Sequence, residues 1–159
     1  MLTSLLLASM LAAGPTPDTP APAAPPPQTY SDLSRLPLGI LHDLPLPANF
    51  DLDGDGQPDP VVIDSSDHGN LVVAVTSTKT GKRQTLVQTK ASLIELGATD
   101  VGMALEGDPK AGVTVSLHGL KGDEELLPIT VEVKPRTLVV TAEGKRRAFT
   151  WNGASFVAE

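Results

Sequence analysis

The stretch Val113-Thr114-Val115-Ser116-Leu117-His118-Gly119-Leu120-Lys121-Gly122-Asp123-Glu124-Glu125-Leu126-Leu127-Pro128-Ile129-Thr130-Val131-Glu132-Val133-Lys134 carries two runs of alternating apolar and polar residues, separated by an acidic, glycine-bearing break. Successive side chains of a strand point to opposite faces, so Val113, Val115 and Leu117 share one face while Thr114, Ser116 and His118 share the other. Ile129, Val131 and Val133 repeat the pattern against Thr130, Glu132 and Lys134. The spacing predicts two half-buried strands with one wet face, joined by a solvated turn at Lys121 to Glu125. His118 lies on the polar phase, which makes it an exposed strand residue and not a catalyst.

Strand signals continue on both sides of this stretch. Val61-Val62-Ile63 is a short buried run, and Leu71, Val73 and Val75 alternate with Val72, Ala74 and Thr76 in a strand apolar enough to be covered on both faces. Lys79-Thr80-Gly81-Lys82 supplies a turn into a strand from Arg83 to Gln88, and Ala91 to Leu96 fits one helical turn and an irregular strand equally well. Pro135 interrupts the pattern before Leu138 to Thr141 resumes it. In Trp151-Asn152-Gly153-Ala154-Ser155-Phe156 the Asn-Gly pair predicts a type I′ hairpin turn, since both residues tolerate positive φ. Phe149 and Trp151 face one way, and Trp151 and Phe156 around the turn are expected to plug one end of the core. With one Trp, one Tyr and three Phe, that core must come from Val, Leu, Ile and Ala, and branched aliphatics fit a pleated surface. The expected class is all-β: a small antiparallel module over residues 30–159, propeller-blade-like or sandwich- or barrel-like.

Residues 1–14 form an apolar run ending in small residues, which reads as a signal peptide: crossing a bilayer takes about 20 apolar residues. Pro15, Pro17, Pro20, Pro22 and Pro25 to Pro27 make 15–29 a Pro/Ala-rich linker. From Tyr30 to Pro47, leucines are interrupted by Pro37, Pro45 and Pro47, which forbid a long helix and predict an entry segment laying leucines on the core. These readings place the chain in the periplasm, at the cell surface or outside the cell, with no transmembrane segment after signal cleavage. The chain has no cysteine, which excludes disulfides, zinc-thiolate sites and thiol nucleophiles. Net charge is -7, or -6 once Asp18 of the first 29 residues is set aside. Scattered Lys82-Arg83 and the run Lys145-Arg146-Arg147, a solvated strand end beside Gly144, do not form the basic face that nucleic acid requires.

Phe50-Asp51-Leu52-Asp53-Gly54-Asp55-Gly56-Gln57-Pro58-Asp59 places carboxylates at alternate positions across a glycine-rich turn. Calcium takes about six to eight hard oxygen donors, and a curled chain can offer one from every second residue. Asp51, Asp53 and Asp55 fill the first three places, Gly56 permits the sharp turn, Gln57 offers its backbone carbonyl, and Asp59 serves directly or through a water. Magnesium tolerates such irregular cages poorly. The position of the bidentate Glu of an EF-hand is Val62, and strand-like residues follow where a helix should start. Asp64 can complete the shell only if the chain folds back, and His42 is better read as a solvent-facing edge residue than as a metal neighbour. Without a cation, like charges about 4–6 Å apart raise one another's pKa, so the loop is expected to be strained or mobile.

The segment FDLDGDGQPDPVVID, residues 50–64, resembles the calcium-binding unit of the FG-GAP and VCBS repeat families, whose D-x-D-G-D-G-x-x-D loop leads into a short hydrophobic strand. The ending WNGASF is similar to a hairpin that closes small exported bacterial proteins bearing one such loop. The resemblance implies structural calcium held at Asp51, Asp53, Asp55, Asp59 and the Gln57 carbonyl, with roles in adhesion or surface binding. A propeller needs about four blades or more, whereas one loop and no repeat occur here, which implies a single unit.

The leading expectation is an exported, non-catalytic β-domain that binds a protein or glycan partner. The alternatives are an accessory or inhibitor protein docking through a strand edge, and a small hydrolase. No nucleophile elbow, zinc-protease motif or phosphate loop occurs, and among His42, His68 and His118 only the pair Asp67-His68 suggests acid–base work. That pair precedes Gly69-Asn70, so a turn is the preferred reading.

Overall fold

Along β7 (Gly112–Lys121) Val113, Val115 and Leu117 are buried while Thr114, Ser116 and His118 are half-buried, and β8 (Glu124–Lys134) buries Ile129, Val131 and Val133 in the same alternation. The computed structural model describes residues 35–159, so the expected signal peptide 1–14, the expected linker 15–29 and the start of the entry segment lie outside the described residues. The other strands are β1 (Leu36–Pro37), β2 (Leu44–Pro45), β3 (Val61–Ser65), β4 (Asn70–Thr76), β5 (Arg83–Ser92), β6 (Asp100–Asp108), β9 (Thr137–Ala142), β10 (Lys145–Trp151) and β11 (Phe156–Ala158). Among the described residues there is no α-helix, hence none long and apolar enough to cross a membrane.

The strands form two antiparallel sheets, one of seven strands in the order β1-β6-β7-β8-β9-β10-β11 and one of four in the order β2-β3-β4-β5. Both have free edges, so neither closes into a barrel. From β1 at the edge of the large sheet the chain builds the small sheet as a meander, then returns beside β1 to complete the large one. Ile63, Leu71 and Val73 of the small sheet share one core with Val101, Val115, Val131 and Leu138 of the large one. The entry segment contributes as expected: Leu41 and Leu46 are buried, and Leu36, Leu38, Ile40 and Leu44 pack against the core. Pro37 and Pro45 sit in two-residue edge strands, where a missing N–H is least costly, and Pro47 follows β2 in a bend.

Several local expectations change. The joining loop of β7 and β8 contracts to Gly122-Asp123, because Lys121 pairs with Glu124. Leu127 has φ +53, and between the pairs Leu117·Ile129 and Gly119·Leu126 strand β8 holds an extra residue, a bulge that resets the face of the strand. Strand β5 runs past Gln88 to Ser92, and one helical turn then follows, closed by Leu96 N–H donating to Ser92 O. The Asn152-Gly153 turn is not type I′: only Gly153 has positive φ, and Trp151 pairs with Phe156 around a longer loop. The Asn152 side-chain oxygen instead accepts from the N–H groups of Ala154 and Ser155, both at 2.9 Å, an Asx turn. Trp151 meets Phe156 edge-on, with centroids 4.9 Å apart, at the end of the core.

Asp64 on β3 is taken up by the fold. Its carboxylate accepts from the N–H groups of Asp43 and Ser65 and from Arg83 at 3.1 Å, while Arg83 also donates to Asp43 at 2.6 Å. Burial opposes its ionisation, but the two amides and the guanidinium outweigh it and hold the carboxyl below its ordinary value. A depressed carboxyl stabilises the fold above its unfolded pKa of about 3.9, and that contribution is lost as pH falls through the folded value. Asp64→Asn is therefore expected to cost about 1 kcal/mol at pH 7 and progressively less below about pH 3.5. Urea midpoints of both proteins across that range check it, and a cost independent of pH would contradict it.

Candidate metal centre

The acidic loop connects β2 to β3 and is stitched into the core. Phe50 and Leu52 are buried, with Leu52 only 1% exposed, while the intervening Asp51 is half-buried and Asp53 is buried. Asp59 N–H donates to Phe50 O at 2.9 Å and closes the loop at its base. Gly54 and Gly56 have φ of +85 and +87, the left-handed conformation that lets the chain curl around its own carboxylates. Arg136, in the turn between β8 and β9, donates its N–H to Asp51 O at 3.0 Å and lays its guanidinium against Gly54. A side chain at position 54 would meet that guanidinium at 2.9 Å.

Asp51, Asp53 and Asp59 converge, each offering one carboxylate oxygen within 4.8 Å of the others. Two oxygens on opposite sides of a cation bound at about 2.4 Å lie about 4.8 Å apart, so the triad fits a single coordination shell. Asp53 and Asp59 are buried and Asp51 is half-buried. Three acids so placed can hold a metal ion.

The donors already spent on each carboxylate separate their roles. A carboxylate has about four lone-pair positions. Asp59 has four donors: the N–H groups of Leu52 at 2.7 Å and Asp53 at 3.0 Å, and the N–H and hydroxyl of Thr78 at 2.7 and 2.8 Å. Asp51 receives only two, from the N–H groups of Gly54 and Gly56. On Asp53, Oδ2 takes the Ser77 hydroxyl at 2.7 Å and Lys79 N–H at 3.1 Å, while Oδ1 takes only Asp55 N–H. Open acceptor positions therefore remain on both oxygens of Asp51 and on Asp53 Oδ1, and Asp59 is saturated by the chain itself.

The expected rise in carboxylate pKa does not occur at Asp53. Burial pushes in that direction, yet the Ser77 hydroxyl and the amides of Lys79 and Asp55 outweigh it and hold the carboxyl well below the usual range. Asp55 lies outside the triad: its carboxylate accepts from Gln57 N–H at 2.9 Å and faces the Thr78 hydroxyl at 3.0 Å. That hydroxyl has one proton, and Asp59 is its nearer partner at 2.8 Å. Gln57 is exposed. Asp64 does not fold back to the loop, and His42, its side chain 87% exposed, stands 4.0 Å from Asp64.

Ser77, Thr78 and Lys79, at the β4–β5 turn, are the residues that sequence reasoning missed. Their only signal is a Ser-Thr-Lys-Thr-Gly turn composition, and nothing local ties it to an aspartate about 20 residues away. Comparison with protein-family models, with curated proteins and with solved structures finds no match for the chain.

The two classes of aspartate should respond differently to substitution. Asp59→Asn leaves buried N–H groups short of acceptors and is expected to cost about 2–3 kcal/mol even in chelator. Asp51→Asn should cost under about 1 kcal/mol in chelator but weaken cation binding at least tenfold. Urea denaturation in chelator, paired with calorimetric cation titration, checks both. Equal stability losses for the two variants would contradict the division of roles.

Proposed function

We propose that the chain is an exported, non-catalytic β-domain whose acidic loop holds a structural calcium ion and which binds a protein or glycan partner at the cell surface or in the periplasm. The convergence of the Asp51 and Asp53 carboxylates beside Asp59, with acceptor positions open on the first two, carries the reading. The choice of calcium rests on an all-oxygen, carboxylate-rich donor set in an irregular loop, which magnesium's octahedral demand fits poorly. Asp51 and Asp53 would supply the direct oxygens, with Asp59 holding the loop around them. The loop leads into β3, as the strand-flanked calcium unit of the FG-GAP and VCBS families would, and the chain would be one such unit on its own.

The histidines favour the non-catalytic reading. His68 is exposed at the β3–β4 turn, where its carbonyl accepts from the Ser92 hydroxyl, and His118 stands 4.0 Å from Glu125 on the wet face of β7. No two of the three are paired with each other, and none lies beside the acidic triad.

Extracellular modules of this kind bind calcium with dissociation constants of order 0.1 mM, so millimolar calcium would add about 1.4 kcal/mol of stability by mass action. For a domain of this size the thermal midpoint should rise by about 5 °C between chelator and millimolar calcium. Millimolar magnesium should give a smaller shift, and Asp53→Ala should give none. A midpoint indifferent to calcium would overturn the metal assignment.

A further inference from the structure

Far from the acidic loop, a cavity of about 220 Å³ opens where the free edge of β5 meets β9 and β10 of the large sheet. Its floor includes Val140 and Ala142, both core residues. Arg147 pairs with Val140 and Lys145 with Ala142, so these cations stand on the core-facing side of β10, in the row that Phe149 and Trp151 continue. Lys90 of β5 lines the opposite wall. None of the three takes part in an ion pair among the described residues. The one acid lining the cavity is Glu143, whose oxygens accept from the N–H groups of Lys90 and Ala91. A chain of net charge -7 thus concentrates a local excess of positive charge over an apolar floor.

The backbone beside the cavity is also available. Strand β5 ends the small sheet, and among the described residues its outer side is hydrogen-bonded to the large sheet at two points: Gln84, whose amide exchanges hydrogen bonds with the N–H and carbonyl of Phe156, and Glu143 at Lys90 and Ala91. Between the clamps, Thr85 to Gln88 make no backbone hydrogen bond outside the β4 ladder among the described residues. We infer that this seam binds an extended acidic peptide, paired by its main chain to the edge of β5 and directing carboxylates to Lys90, Lys145 and Arg147. Main-chain pairing supplies affinity in such a mode, and side-chain pockets supply selection. The inference gives the partner of the proposed binding domain a chemical class, and it does not depend on calcium.

The test titrates a fluorescent peptide of alternating Glu and Val into the full chain, by anisotropy and by amide chemical shifts. Shifts are expected at Thr85 to Lys90 and Val140 to Arg147, and binding should weaken with salt. Reversing charge in Lys145→Glu/Arg147→Glu should lower affinity at least about tenfold while leaving the thermal midpoint near its original value. A peptide N-methylated on alternate residues, which cannot pair with a strand edge, should bind about tenfold more weakly to the unaltered protein. Equal binding of a Lys-Val peptide, shifts elsewhere, or equal affinity of the methylated peptide would overturn the inference. So would a uronate polymer or inorganic phosphate that binds the seam as tightly as the peptide. Running each titration with calcium and with chelator separates the two readings: lost peptide binding with an intact calcium-dependent midpoint fails this inference alone, and the reverse fails the metal assignment alone.

Discussion

The carboxylate of Asp59 gathers four donors from two loops. Itself only 1% exposed, it accepts from the buried N–H groups of Leu52 and Asp53 in the acidic loop, and from the N–H and hydroxyl of Thr78 in the β4–β5 turn. A buried N–H without an acceptor costs about 1–3 kcal/mol, so one side chain sets the position of two loops at once. Pro60, the next residue, accepts from Thr76 N–H and carries the chain into β3. Because Phe50 and Leu52 are core residues, the loop belongs to the packing of the domain and is not an appendage to it.

The two sheets hold together by other means. No strand ladder joins them. They share one core, the crossing from β1 to β2 passes between them, and side chains span the seam at Gln84·Phe156 and at Glu143. The backbone link from Arg136 to Asp51 ties the large sheet to the acidic loop. Side-chain clamps close a seam only where they stand, so the stretch between them keeps an open edge. An uncovered edge invites pairing, and the inward-facing cations Lys145 and Arg147 bias which chains can approach it.

How much of this was legible follows from the distance in sequence over which each feature is set. Alternation in β7 and β8 has a period of two residues and a buried face to enforce it, so Val113 to Leu117 and Ile129 to Val133 could be placed from sequence. The triad was legible because Asp51, Asp53 and Asp59 lie on one short loop whose glycines announce the curl. The bulge at Leu127 was not, since a leucine at positive φ carries no local signal and is held there by its neighbours on both sides. Asn152 failed in a different way: its side chain satisfies two loop amides, and that competes with the type I′ turn its dipeptide favours. Ser77 and Thr78 reach the site only through the pairing of β3 with β4, which no window of sequence around Asp59 contains.

These distances also bear on what a cation can do here. In a sensor loop the empty and filled states must differ, and ion binding is spent on the difference. The amides of Gly54, Gly56, Asp55 and Lys79 already hold the carboxylates of Asp51 and Asp53 in convergent positions, and Asp59 fixes the frame around them. Under the proposed metal reading, a cation held by carboxylates fixed in this way would add to the stability of one state. The same hydrogen bonds consume acceptor positions that a tighter site would keep for the metal. The proposed cation would therefore act structurally, and the carboxylates around it are tied to the small sheet through Ser77 and Thr78, whose turn leads into β5.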